Sequence, residues 1–331
     1  MVIIARFGGI AGQRSDVMQG VKARPVVEGG ILAASLAAIA FLGMYIPYAN
    51  LVWPLPIALV SARHGVRYGV MTAVVSALVV GLLVHLLTGL FLFLSGGLVG
   101  VALGECLRRK VSAGRIVSVT TVLAFLSNAL AIGLGMVVMQ MDLAQMNQEM
   151  VSIIHQTVTE VGELMGGSEA ERQEMQAMGD AMARMYMMLI PSGLFICGLI
   201  TAVLNFVLAR VVLMRLGMET VSFDPFEMWR FPSWVLYLFV LSLVGLYWGD
   251  KWADETLTMV AWNVQLTMSF VLFIQGAALL RYIANRNAFV KKIWWLLIVI
   301  ALFSQFFTTM MVVFGGIDML INYRNFLEKQ V

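Results

Sequence analysis

The chain has 331 residues, of which 60% are hydrophobic and 12% are charged, and its net charge is +3. Soluble domains carry roughly a quarter charged residues, so this composition excludes an ordinary soluble protein and predicts a chain that lies largely in lipid. Backbone groups in lipid must be hydrogen-bonded within the chain, and the apolar runs lack the period-two alternation of barrel strands. We therefore predict an all-α, polytopic integral membrane protein.

Nine stretches are candidates for crossing the membrane. A bilayer core needs about 20 apolar helical residues, and eight stretches clearly meet this requirement. The ninth, residues 48–62, is short and contains Pro54 and Pro56, which remove backbone donors and are expected to break the helix. We expect about nine transmembrane helices. The eight clear spans are residues 29–46, 68–87, 90–107, 116–139, 186–209, 231–248, 257–280 and 293–314.

The distribution of basic residues predicts the orientation, because cytoplasmic loops collect Lys and Arg. If nine spans alternate from a cytoplasmic amino terminus, 17 of the 22 basic residues lie inside. We therefore expect a multi-pass protein of the cytoplasmic membrane, with lipid as its main partner. The carboxyl terminus would then be outside, or residues 318–331 would lie along the membrane surface. The five exceptions are Arg172, Arg184, Lys251, Arg324 and Lys329.

The segment 142–185 is too long for an ordinary connection and too poor in Gly, Pro and Ser for a linker. Methionine and aliphatic residues recur in it at helical spacing, on both sides of Gly166-Gly167. Ser168 and Glu171 have the spacing of a capping box, which marks a helix start. We predict an external amphipathic helical hairpin, in which the methionines serve packing rather than a copper or haem site.

No motif for catalysis or metal binding is present. The sequence contains no phosphate-binding loop, so nucleotide-driven activity would require a partner ATPase. The histidines, His64, His85 and His155, lie on separate elements and have no partner at helical spacing. The spans also lack ionisable groups near their middles, which argues against ion-coupled transport and catalysis. We predict a protein that is not an enzyme, with no cofactor, no metal and no nucleic-acid partner.

Neutral polar residues inside the spans are the remaining candidates for function. They are compatible with two interpretations, hydrogen bonds between helices or a pocket for a neutral ligand. The proline-containing segment 48–62 also has two interpretations, a kinked short helix without a ligand or part of a binding site, because broken helices often line binding sites. The ligand-binding candidates are Trp53, Asn128, Asn205, Asn263 and Gln275.

Small residues spaced by four predict close helix packing. Gly96, Gly100 and Gly104 would form one groove along the span 90–107. In the first span, Ala33 pairs with Ala37 and Ala34 with Ala38, which would allow another helix or a partner protein to approach.

Several short motifs give the chain a family resemblance. Glu28-Gly29-Gly30 opens the first span, and Ile46-Pro47, Pro54-Leu55-Pro56 and Arg63-His64-Gly65 follow it. A longer stretch, residues 223–232, contains Pro225, Phe226, Trp229, Arg230 and Pro232. Ile274-Gln275-Gly276 and Gly316-Ile317-Asp318 complete the pattern. With these residues the chain resembles the YybS-like family of bacterial membrane proteins, a domain of unknown function.

The first six spans are also similar to the membrane domain of S components of energy-coupling-factor transporters, and to the cell-shape protein MreD. This resemblance implies a cytoplasmic extension at 1–25, a six-span domain at 26–215 and a loop with three spans at 216–331. It implies that Ala33, Ala34, Ala37 and Ala38 dock onto a coupling subunit. The best-supported function is a small-solute-binding transport component that depends on a separate ATPase. The alternative is a non-transport scaffold or regulator of the cell envelope, and either protein could form a homo-oligomer.

Overall fold

The computed structural model describes residues 27–43, 45–46, 49–140, 142–165, 169–286 and 288–321. The regular structure in these ranges is helical, which confirms the predicted all-α polytopic class. The predicted extension 1–25, the capping residue Ser168 and the last ten residues lie outside the described residues. The helices are α1 (Val27–Leu42), α2 (Pro54–His64), α3 (Val66–Leu83), α4 (Leu86–Arg108), α5 (Ala113–Met139), α6 (Leu143–Met165), α7 (Glu169–Met188), α8 (Ile190–Arg215), α9 (Trp234–Trp252), α10 (Glu255–Ala284), α11 (Ala288–Phe303) and α12 (Gln305–Ile321).

Within the described ranges, five helices are long and apolar enough to cross a membrane by themselves: α3, α4, α5, α8 and α10. Each coincides with a predicted span. The α1 helix is apolar but shorter, and the α9 helix carries Asp250 and Lys251 in its last turn. In these five helices the charged residues lie only near the ends, as expected of segments that cross lipid.

The predicted span 293–314 is wrong as a single helix. The chain turns by 113° between α11 and α12, at Ser304. The Thr308 hydroxyl donates to the carbonyls of Ala301 and Ser304, so it satisfies backbone oxygens at the turn. No proline or glycine marks this position, which is why hydropathy alone did not reveal the break.

The short segment 48–62 is broken, as predicted, but the break lies just before Pro54 and not at both prolines. A 3-10 turn at Ala49–Val52 leads into α2, and both prolines lie in the first turn of α2. Helix N–H groups have no intrahelical partner in that turn, so the prolines start the helix instead of interrupting it. The interruption lies just before them, at Trp53.

The predicted hairpin at 142–185 is helical, with α6 and α7 packed against each other. A methyl group at Gly179 would lie 3.2 Å from Cγ2 of Val158, so the two helices are in close contact there. Nε2 of His155 lies 2.5 Å from Oδ1 of Asp180 and ties the helices together on the polar side.

The chain forms two compact units. Among the described residues, the first contains those in 27–140 and 197–222, and the second contains those in 142–196 and 223–321. The hairpin thus belongs with the carboxyl-terminal helices, whereas the domain boundary expected from the sequence lay at residue 215. Each unit has its own buried apolar cluster, around Trp53 in the first and around Leu272 in the second.

Candidate functional site

The first unit is built around Trp53, which precedes α2 and is 1% exposed. It belongs to a buried apolar cluster that includes Leu36 and Ala40 of α1, Ala73 of α3 and Leu92 of α4. A residue this large at the start of a short helix fixes how the preceding 3-10 turn enters the core. The candidate site is centred on this junction, where the 3-10 turn Ala49–Val52 meets α2 at Trp53.

The backbone at this junction needs a donor from elsewhere in the unit. Pro54 has no N–H, so it cannot donate to the Leu51 carbonyl in the next 3-10 step. The side chain of Asn205, on α8, supplies the donor: its Nδ2 lies 2.7 Å from the Leu51 oxygen and 2.8 Å from the Thr201 oxygen. Asn205 is completely buried, so this bond connects α8 to the junction in the interior.

Two polar atoms at the junction have unused hydrogen-bonding capacity. Within the described residues, neither Nε1 of Trp53 nor Oδ1 of Asn205 has a hydrogen-bond partner. A buried polar group without a partner costs about 1–3 kcal/mol. One atom is a donor and the other an acceptor, and neither is charged, so each would be satisfied by a neutral polar group.

The middle of α4 packs against Trp53, and it contains a π-helical turn at Phe93–Gly97. A methyl group at Gly96 would lie 3.0 Å from Cγ of the indole, so glycine is required for this approach. Turns of this type occur often at functional sites. The predicted glycine groove continues below it, where Gly100 and Gly104 pack directly on α2 between Pro54 and Ala62.

A charged cluster lies at the other end of α2. The Glu28 carboxylate pairs with the Arg63 guanidinium, and its second oxygen lies 2.9 Å from Nε2 of His64. These residues come from two motifs of the family resemblance, which the structure brings together. Glu28 lies in the first turn of α1, and Arg63 and His64 lie in the last turn of α2. The last turn of α2 is therefore next to the first turn of α1.

Gln275 organises a polar network in the second unit, where it is 2% exposed on α10. Its Oε1 accepts from the Phe231 N–H at 3.1 Å, and its Nε2 donates to Oδ2 of Asp318 on α12 at 2.5 Å. Gly276 and Gly315 face each other beside it and let the two backbones touch. Sequence reasoning placed Asp318 beyond the last span, whereas it is 5% exposed inside α12.

Asn263 has a structural role at the start of α8. Its Oδ1 accepts from the Ser192 N–H at 2.8 Å, and its Nδ2 donates to the carbonyls of Met188 and Met259. Asn128 bonds within its own helix, to the Ala124 carbonyl. The five predicted ligand residues therefore do not form one site: Trp53, Asn128 and Asn205 are in the first unit, and Asn263 and Gln275 are in the second.

The motif at 223–232 folds into an aromatic cluster in the second unit. The Trp229 ring lies 4.8 Å from Phe223 and 5.2 Å from Phe226, and its Nε1 donates to the Asp224 carbonyl. Phe226 also contacts Trp294, over which the Arg281 guanidinium lies at 4.8 Å. Pro225 and Arg230 are exposed on this cluster, and Pro232 ends it just before α9.

The alanines predicted for docking point in two directions. Ala33 is buried and Ala37 packs against the Trp53 cluster, whereas Ala34 and Ala38 are exposed. Only the second pair is accessible to a partner.

Among the described residues, no group of three His, Cys, Asp or Glu side chains could hold a metal ion.

Comparison with known proteins places these motifs in a family. Residues 34–319 match the family model described as "Predicted membrane protein (DUF2232)". The chain is also 22% identical to "Uncharacterized protein YybS" of Bacillus subtilis (strain 168) over 312 residues, which are 91% of this chain and 98% of that protein. No solved structure matches the chain. The chain belongs to the DUF2232 family of membrane proteins.

Proposed function

We propose that this protein is a non-catalytic, membrane-embedded binding component for a small neutral solute, and that a separate ATPase drives transport of the solute. The observation that carries the proposal is that two buried polar atoms of the first unit, Nε1 of Trp53 and Oδ1 of Asn205, have no hydrogen-bond partner among the described residues. The resemblance of the first six spans to S components also supports a solute-binding subunit.

A solute that accepts from Trp53 and donates to Asn205 would satisfy both atoms together. The apolar residues around the indole would exclude water, and hydrogen bonds in a dry site are stronger than in water. Amides, alcohols and uncharged heterocycles have this combination of groups. The Asn205–Leu51 bond holds the acceptor in place, since the same amide group anchors α8 to the junction.

The test is chemical analysis of small molecules that the purified protein retains in mild detergent. Wild type is expected to carry one solute at near-stoichiometric amount, and Asn205→Leu is expected to lose it. Asn128→Leu is the matched control, because the hydrogen bond that its amide makes among the described residues is to Ala124 of its own helix. Affinity purification is also expected to recover ATPase subunits.

Repeated purification that yields neither a solute nor an ATPase would contradict the proposal. An altered cell shape on deletion of the protein, without any nutrient requirement, would then favour the envelope scaffold instead. In that case the exposed Pro225 and Arg230 of the aromatic cluster would be the first residues to test for partner contacts.

A further inference from the structure

A groove on the first unit, distinct from the Trp53 junction, lies where α4 ends and α5 begins. It has a volume of about 470 Å³. The helices on either side are candidate membrane spans, so their adjoining ends lie at the level of lipid head groups. The lining residues are Ala102, Glu105, Cys106, Arg109, Val111, Arg115, Ser118 and Val119.

The groove has an excess of positive charge. Glu105 is the one carboxylate that lines it, and this carboxylate is shared by two guanidinium groups: Nε of Arg108 at 2.8 Å and Nε of Arg109 at 2.6 Å. Arg115, on the opposite wall, is exposed and makes no ion pair with any described residue. Among the lining residues, Arg109 and Arg115 against Glu105 leave a net charge of +1, from two positive charges and one negative, and Arg108 pairs with the same carboxylate from outside the groove.

The walls between these charges are apolar, formed by Ala102, Val111 and Val119. A small soluble anion would use the guanidinium groups but not these walls. An acyl chain would cover the apolar walls while its phosphate paired with the guanidinium, which binds phosphate oxygens in bidentate fashion. Basic pockets between membrane helices bind acidic lipids in this manner.

We infer that the groove between α4 and α5 binds an anionic phospholipid, with the phosphate on Arg115 and the upper acyl chain along Val111 and Val119. Ser118 lies on the same wall as Arg115 and can donate its hydroxyl to the head group. The site is independent of the solute site, since it shares no residue with the Trp53 junction.

The experiment uses Cys106 as a reporter, because its thiol lines the groove. The chain has two cysteines, so Cys197→Ser leaves a single thiol. The full-length protein is placed in bilayers of phosphatidylcholine, or of an equal mixture with phosphatidylglycerol, and the rate of maleimide reaction is measured. We expect phosphatidylglycerol to slow the reaction several-fold, and Arg115→Gln to abolish the slowing.

Arg67→Gln is the control, since Arg67 is also an exposed arginine, at the start of α3 and outside the groove. It is expected to keep the full slowing. Slowing that persists in Arg115→Gln would report only the surface charge of the bilayer and would overturn the site. No slowing in wild type would also overturn it. Inorganic phosphate added to phosphatidylcholine bilayers should have no effect; protection by phosphate alone would show a simple anion site and refute lipid binding.

Discussion

The Gln275 network allows a quantitative test of how the second unit is held together. Replacing Gln275 by Leu removes two buried bonds, one from the Phe231 N–H and one to the Asp318 carboxylate. The neutral bond is worth about 1 kcal/mol and the bond to a carboxylate about 1.5–3 kcal/mol, so we expect a loss of about 2.5–4 kcal/mol. Hydrogen bonds between membrane helices average only about 0.6 kcal/mol, so a loss of this size requires the charged partner.

The assay is equilibrium unfolding by SDS in mixed micelles, followed by circular dichroism. Gln265→Leu is the matched control on the same helix, because its buried Oε1 has no hydrogen-bond partner among the described residues. That variant is expected to be as stable as wild type, or more stable.

The double variant Gln275→Leu, Asp318→Leu separates the two bonds. Removing both partners of a buried bond costs less than removing one. The double variant should therefore be more stable than Gln275→Leu alone. A loss in unfolding free energy below about 0.6 kcal/mol for Gln275→Leu would refute the buried network. So would a double variant whose loss equals the sum of the losses of Gln275→Leu and Asp318→Leu measured singly.

Four further predictions follow from the packing and charge of the chain. Gly104→Ala places a methyl group 2.6 Å from Cβ of Ser61, so it should lower stability to SDS by about 1–3 kcal/mol; Gly114→Ala, with no atom within 4 Å, should not. Asn263→Leu should destabilise the α7–α8 junction by about 1–3 kcal/mol in the same assay, because the Ser192 N–H and Met188 carbonyl lose their partner; an unchanged midpoint would contradict this role. Lys110 holds the pKa of Glu219 below its usual range by a side-chain hydrogen bond, so Lys110→Gln should raise that pKa in an NMR titration. The pair stabilises the fold only above the ordinary carboxylate pKa and is lost as the pH falls through the lowered value; both groups are exposed, so no change in Tm is expected. A cysteine at the exposed Ser152, in a chain with Cys106→Ser and Cys197→Ser, should react with an impermeant maleimide on intact cells; protection until lysis would reverse the predicted orientation.

The long helices could be predicted from sequence because their signal is local. An uninterrupted apolar run such as α5 or α8 must satisfy its backbone internally, so hydropathy alone indicates a helix. The helical hairpin was predictable for a similar reason, since its methionines recur at helical spacing. These predictions need no knowledge of which residues meet in space.

The errors concern effects that depend on three-dimensional context. The turn at Ser304 has no breaker residue, and it is accommodated by the hydroxyl of Thr308. Pro54 and Pro56 have different effects in the first turn of a helix and in its interior, and the sequence does not show where the helix starts. The turn at Ser304 also explains why Asp318 belongs to the buried face of α12 rather than to an external tail.

The candidate site was only partly predictable. Trp53 and Asn205 were among the predicted ligand residues, but nothing in the sequence relates Asn205 to the Leu51 carbonyl, which is 154 positions away. The missing donor of Pro54 was the one local signal, because a carbonyl left open at that point must find a partner elsewhere. The contact between Glu28 and the Arg63-His64 pair likewise joins motifs that the sequence presents separately.

The solute site is tested most directly by native mass spectrometry of the intact protein, released gently from detergent. We predict that wild type and Asn128→Leu carry the same additional small mass, and that Asn205→Leu and Trp53→Phe lack it. Wild-type protein with no bound mass, or an identical mass in all four proteins, would contradict a solute site at the junction of Trp53 and Asn205.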